Sequence, residues 1–370
     1  MMNDLLASVL HADFVGARSD AVSCTDGVCS YQSGVCFNID KNIWESVSAA
    51  EYAPALTDLV SFPEGKASEP EYANCDEPFS PSHRTEMPAQ YVLVTGATFL
   101  VCCWHTHFGH ALLNMLFPSF LALDRAGHIS RDFRFLLDYR FTGNYGSNST
   151  IFELFTLATA SPSRVLTLPE LKKEAREKHK SHICFEKFVV GMLDAHVLTN
   201  QHHPAPGPRA EVGMFVPLRR ELHHYYPPVA PHVRRCRALI LERLGNRHFG
   251  SLSKILRKAR GAFTFGWYVT AEMFEYLTIK QQYNIISKTD VLVSAGGSGS
   301  HLALFLPETS VSIVVETRGY DVNENICKFA SHMKCFAVKS TTANDSVYPH
   351  MSSLQTAFHL AHKYVSRTCL

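Results

Sequence analysis

Two arginines and a glycine-rich loop are the residues of this chain best suited to holding a charged phosphate group, with a carboxylate beyond them suited to hydroxyls. Arg243 and Arg247 close the segment RALILERLGNR. Two guanidinium groups beyond a strand end can clamp a diphosphate through paired, charge-assisted hydrogen bonds. The loop Ala295-Gly296-Gly297-Ser298-Gly299-Ser300 separates the apolar runs TDVLVS and SHLALFL. Its glycines let backbone amides approach an anion, and the start of the following helix adds a favourable dipole. Ser298 or Ser300 could cap that helix. His301 follows the loop. Glu316 ends the next apolar run, VSIVVE, where a carboxylate can accept bonds from ribose hydroxyls. The plain alternative is a tight strand-to-helix turn flanked by ordinary surface charges.

Spelling narrows what the loop can be. No lysine follows the glycines, so it is not a Walker loop. Leu302 stands where the dinucleotide fingerprint G-x-G-x-x-G needs its last glycine. Ser300 stands where a G-x-S-x-G nucleophile elbow needs its final glycine, which leaves a serine hydrolase using Ser298 as a rival. Zinc is a second rival chemistry, since His105, His107 and His110 make a fair ligand count. That segment has no obvious acidic partner, and no metal is expected.

These residues need a scaffold that gathers strand ends. QYVLVTG, FRFLLDY and RVLTL read as strands, HICFEKFVVG as another strand pair or an edge, and STIFELFTLAT as a helix. HFGHALLNMLFPSFLALDRAG is helical in its spacing and stops at Gly127. RALILER, TDVLVSA and VSIVVE are strands, SLSKILRKA and TIKQQYNIIS helices, and SHLALFL a short helix. Strands alternating with helices predict an α/β chain with parallel sheets. Between Gln201 and His232, QHHPAPGPRAE and YYPPVAPH carry prolines that break regular elements. The expected organisation is an irregular Cys/Pro-containing segment 1–80, an α/β domain 81–205, a second α/β domain 232–350, and a helix within 351–370 that packs back.

Composition excludes some partners. The 370 residues are 46% hydrophobic and 19% charged, with a net charge of +1. That balance gives no global pull towards nucleic acid or an acidic membrane. No apolar run approaches the ~20 residues of a membrane span. Cys24, Cys29 and Cys36 lie close together, as in a small disulfide-stapled lobe, whereas Cys102, Cys103 and Cys184 sit in apolar runs and read as buried thiols. The cysteine cluster and the sequons at Asn148 and Asn344 point to a secretory lumen, Golgi or ER. The N-terminus lacks a continuous signal-like apolar stretch, which keeps the cytoplasm open.

Several pieces, in order, resemble glycosyltransferase family 61. The resemblance rests on the early cysteines, on GHALLNMLFP from Gly109 to Pro118, on CFEKFVVG from Cys184 to Gly191, on LERLGNR, on LTIKQQ with Gln282, and on TDVLVSAGGSGSHLALFLP. It implies a GT-B architecture: two Rossmann-like domains facing a cleft, preceded here by the irregular N-terminal segment. It implies an inverting transfer of a sugar from a nucleotide donor, with UDP-sugars the commonest, to a glycan or glycoprotein acceptor, without a bound metal. Arg243, Arg247, Gln282, Gly296, Gly297, Ser298, Gly299, Ser300, His301 and Glu316 would bind the donor. His110, matching the family's first histidine, would be the general base, with Asn114 beside it. Two positions depart from the family pattern: Gly296 replaces the histidine of its HGAG motif, and Asn114 replaces an acid. A catalytically inactive scaffold binding glycan or protein partners is therefore the alternative reading.

Overall fold

The structure is a computed structural model. It describes residues 22–25, 28–31, 34–47, 82–103, 108–125, 127, 133–139, 149–191, 215–227, 235–263, 266–317, 327, 330–343 and 345–366. Within these, the side chains of 22–29, 102, 110, 114, 125 and 343 lie outside the description. The chain folds as two units. The first takes in Met1–Thr106, Pro118–Asn148 and Ser161–Asp194; the second takes in His107–Phe117, Ser149–Ala160 and Ala195–Leu370.

The first unit is built on a mixed sheet of strands β1 (Val22–Thr25), β2 (Val28–Tyr31), β3 (Val35–Asn38), β4 (Ile43–Val47), β5 (Ser82–Arg84), β6 (Tyr91–Cys102), β7 (Arg134–Asp138), β8 (Val165–Thr167) and β9 (His182–Val190). The order is β5-β4-β3-β9-β6-β7-β8, with β2 pairing both β1 and β9. Strands β9, β6, β7 and β8 run parallel, while β3 and β2 meet β9 antiparallel. HICFEKFVVG is thus one continuous strand inside the sheet, not a strand pair or an edge, because β3 and β6 pair its two sides. The N-terminal segment expected to be irregular thus supplies β1–β4. Strands of four or five residues carry too few alternations to show a period, and only pairing with β9 makes them strands. Packing explains their apolar content: Phe37, Trp44, Phe185 and Phe188 form one aromatic cluster in the core.

The cysteine reading is corrected at the same place. Cys36 stands directly opposite Cys184 across β3 and β9, and the two form a disulfide. Cys184 is therefore not a free thiol, and Cys36 is not stapled within its own cluster. Cys103 is a buried free thiol. Cys24 and Cys29 face each other in the β1–β2 register.

The second unit carries a sheet of β10 (Arg237–Glu242), β12 (Tyr268–Met273), β13 (Val291–Ala295), β14 (Ser310–Val315) and β15 (Met333–Val338). All its pairings are parallel, in the order β12-β10-β13-β14-β15. A small sheet joins β11 (His248–Phe249), β17 (Ser346–Pro349) and β16 (Ser340–Ala343).

The helices are α1 (Phe108–His110), running through a π-helical turn Ala111–Leu116 into α2 (Phe117–Arg125), then α3 (Ser149–Thr159), α4 (Leu168–Glu177), α5 (Val216–Tyr225), α6 (Leu252–Ala262), α7 (Ile279–Ile286) and α8 (Met351–Val365). Gly127, at φ +67°, closes the α2 run with its N–H on Asp124 O at 3.0 Å. Helices α6 and α8 bury Ile255, Ala259, Leu354, Phe358 and Ala361 against Ile240, Val293 and Ile313 of the parallel sheet. Residues of the other parity, Leu239, Leu241 and Leu292, are buried too, so both faces are covered and the strands read as unbroken apolar runs.

Helix α5 lies between the two proline-rich stretches and stops where YYPPVAPH begins. Pro217 falls in its first turn, where the missing N–H has no intrahelical partner to lose.

Candidate functional site

In an open parallel sheet, ligands bind beyond the carboxyl ends of the strands, where successive connections leave in opposite directions. From β10 the chain passes to β12 on one side; from β12 it crosses back to β13 on the other. The switch point therefore lies between β10 and β13. Arg243 and Arg247 follow β10, and Gly296 to Ser300 follow β13.

The two loops meet. Arg247 Nη1 donates to Gly296 O at 3.3 Å. A β-carbon on Gly297 would collide with Arg247 Nη1 and lie 3.5 Å from Arg243 Nη1. Gly297 also has φ +127° with ψ −163°, a region that side chains avoid. The conformation calls for glycine here, and a side chain would also have to displace the Arg247 guanidinium above it.

The arginine loop is braced from both ends. Glu242 Oε1 accepts from Arg243 N at 2.8 Å and from Phe249 N at 3.0 Å. Arg247 N donates to Asp345 O at 2.6 Å, and His248 Nε2 pairs with Ser346 Oγ at 2.8 Å. The small β11–β17 sheet thus pins the turn that aims Arg247. Burial, then the charge of Arg247, hold the Arg243 pKa below its ordinary value; Glu275, 4.0 Å from Arg243 Nε, opposes this. Two guanidinium groups this close favour a bound anion.

On the glycine loop, Gly296 N donates to Val315 O at 2.8 Å, and Gly296 O also accepts from Thr317 Oγ1 at 3.4 Å. Residues Ser298–Phe305 form a 3-10 helix with Gly297 at its N-cap and no side-chain cap. The expected serine cap is corrected for Ser300: its hydroxyl donates to Gly297 O at 2.6 Å, so it points along the helix and not to its first amides.

His301 is 3% exposed. A β-carbon on Gly109 would stand 2.8 Å from His301 Nδ1 and 3.5 Å from Ser298 Oγ. Helix α1 therefore lies directly on the 3-10 helix, which brings the backbone of His110 next to the loop after β13. Asn114 sits in the π-helical turn that follows, a form that clusters at functional sites.

Gln282 is engaged at another loop: its Nε2 donates to Phe274 O at 3.1 Å and Leu277 O at 2.9 Å. Glu316 is exposed just past β14, with its N–H on Val338 O at 2.8 Å.

Two supports had no motif to announce them. Glu153 of α3 accepts from Ile279 N at 2.8 Å, at the start of α7. Arg219 of α5, 8% exposed, donates from Nη1 to Leu306 O at 3.1 Å, at the end of the 3-10 helix. Burial depresses the Arg219 pKa to about 10, against the opposing charge of Glu308. His105 and His107 lie outside the described residues, among which no group of three His, Cys, Asp or Glu side chains could hold a metal ion. Nor is any helix among them long and apolar enough to cross a membrane.

No curated protein sequence matches the chain. Among solved structures, the metal-soaked Flv1 flavodiiron core from Synechocystis sp. PCC6803 is similar at 11% identity and TM-score 0.25, over 63% of this chain and 57% of that one. The glycosyl transferase family 9 protein from Veillonella parvula DSM 2008 is similar at 9% identity and TM-score 0.31, over 76% of this chain and 98% of that one. Scores this low carry no argument about the fold. The family model for glycosyltransferase 61 matches residues 108–313, more than half of the chain and a span that holds the α1 segment, both arginines and the glycine loop. The chain is thus a member of glycosyltransferase family 61, and so a glycosyltransferase.

Proposed function

We propose that the chain moves a sugar, with inversion, from a nucleotide donor of the UDP-sugar type to a hydroxyl of a glycan or glycoprotein. The observation that carries this reading is the convergence of Arg243 and Arg247 on Gly296 and Gly297 at the switch point between β10 and β13. In it, the arginines and the amides of residues 297–299 hold the donor diphosphate and stabilise the charge that grows on the leaving group; the Ser300 amide is already bonded to Gly297 O at 2.9 Å. His301 and Glu316 border the same donor. His110 takes the proton from the acceptor hydroxyl as the bond from sugar to phosphate breaks, with Asn114 beside it. The reading includes a GT-B architecture, with the donor held by the domain at 232–350. The disulfides Cys36–Cys184 and Cys327–Cys335 fit an oxidising secretory lumen.

A thermal-shift panel of nucleoside diphosphates and their sugars tests the donor site. UDP should raise the melting temperature of the wild type, and Arg243→Ala should abolish the rise. No shift with any nucleotide, or an equal shift in Arg243→Ala, sinks the reading.

A second reading is favoured by Gly296 and Asn114, which replace the histidine and the acid of the family pattern. In that reading the chain is a scaffold that binds a glycan or protein without turnover. Nucleotide binding with no donor hydrolysis and no transfer to a broad acceptor array would select it.

A further inference from the structure

Leu244, Met273 and Tyr276 are 45%, 45% and 77% exposed, and all three sit at the carboxyl ends of β10 and β12. Leu244 directly follows Arg243. Tyr276 lies in the turn after β12. The two loops are tied together, since Leu244 N donates to Glu275 Oε1 at 3.0 Å and Arg243 Nε faces the same oxygen at 4.0 Å. The turn is also fixed to the body of its unit. Phe274 is 4% exposed, Leu277 N donates to Phe274 O at 2.9 Å, and Gln282 Nε2 holds the carbonyls of Phe274 and Leu277. A turn clamped at both ends thus presents one aromatic ring to solvent, one residue after the Glu275 that faces Arg243.

We infer that the Tyr276 ring, at the same strand ends as the exposed Leu244 and Met273, is the platform on which the nucleobase of the donor stacks while Arg243 and Arg247 hold its phosphates. The inference rests on the donor-site reading above and adds the position of the base. Sheet order gives the direction. Strand β12 flanks β10 on the side away from β13, so the base lies to that side of the arginines. Glu316, past β14, lies on the opposite side, so in this orientation it faces the transferred sugar and not the ribose hydroxyls considered for it from the sequence. An aromatic face accepts any base, because every base has a π-face. The platform therefore supplies affinity, and loop edges supply the choice of base. Gln282 becomes a positioning residue: it holds the turn that aims Tyr276.

Calorimetric titration of UDP and of inorganic pyrophosphate into the full chain tests this. Tyr276→Ala should weaken UDP by about 5- to 150-fold, the range for removing one base–aromatic stack, and leave pyrophosphate unchanged. Tyr276→Phe should bind UDP like the wild type. Gln282→Leu should lower UDP affinity and again spare pyrophosphate. Equal UDP affinity in Tyr276→Ala, or an equal loss of pyrophosphate, overturns the platform. A wild type that binds pyrophosphate as tightly as UDP overturns it too, while leaving the anion site standing. A wild type that binds neither removes the donor-site reading, and the platform with it.

Discussion

Gly109 and His301 are packed so closely that the glycine has no room for a methyl group: its β-carbon would stand 2.8 Å from the imidazole Nδ1. Residues far apart in the chain are thereby held in one contact, between α1 and the 3-10 helix after β13. Gly109→Ala should lower stability by about 1–3 kcal/mol, the cost of overpacking a filled site. The double variant Gly109→Ala/His301→Ala should recover part of that loss. Denaturant melts of the four proteins in the cycle check it; strictly additive losses would mean that the two residues do not interact.

Gly297 and Gly266 both have positive φ, at +127° and +96°, yet only Gly297 has a guanidinium in the space of a β-carbon. Gly266→Ala should cost about 1 kcal/mol, from backbone strain alone. Gly297→Ala should cost more, and should also displace Arg247 and reduce UDP binding. Thermal melts with and without UDP separate the two effects.

Glu45 is buried in the first unit with three partners. Its Oε1 accepts from Asn38 Nδ2 at 2.9 Å, and its Oε2 accepts from Arg84 Nη1 at 2.8 Å and lies 3.1 Å from His182 Nε2. Burial pushes the carboxyl pKa up, but the bonds from Arg84 and Asn38 and the charges of Arg84 and His182 outweigh it, so the net shift is below the ordinary 4.5. A carboxylate with a depressed folded pKa contributes stability that is present above its unfolded value and lost as pH falls through the folded one. The wild type should therefore lose stability below about pH 4.5, and Glu45→Gln should show a shallower acid limb there. Glu45→Ala should cost about 3 kcal/mol at neutral pH, since it strands buried partners. Urea midpoints across pH measure both.

The Cys36–Cys184 disulfide joins residues 148 apart in sequence. Closing so long a loop removes much freedom from the unfolded chain, so Cys184→Ser should cost about 2–5 kcal/mol. Reductant should destabilise the wild type and not the variant through this bond. Intact mass with and without reduction, alongside denaturant melts, gives the answer.

Much of the second unit was legible in the sequence. TDVLVSA and RALILER are strands because both sheet faces are covered, and a strand buried on both faces is written as an unbroken apolar run. The glycine loop and the arginines could be assigned to strand ends for the same reason. The N-terminal strands could not be read: VCFN and IWESV are too short to show alternation, and they become strands only through β9, which arrives more than a hundred residues later. The partner of Cys36 was hidden likewise, because connectivity follows strand neighbours and spacing does not encode it. Local chemistry determined which residues could hold a phosphate and which segments could be strands. Tertiary structure alone decided that β10 and β13 are neighbours, which brings Arg247 to Gly296. It alone packed Gly109 on His301 and turned Gln282 to the loop of Tyr276. Such pairings are set by sheet order and packing between distant segments, and no short stretch of sequence carries that information.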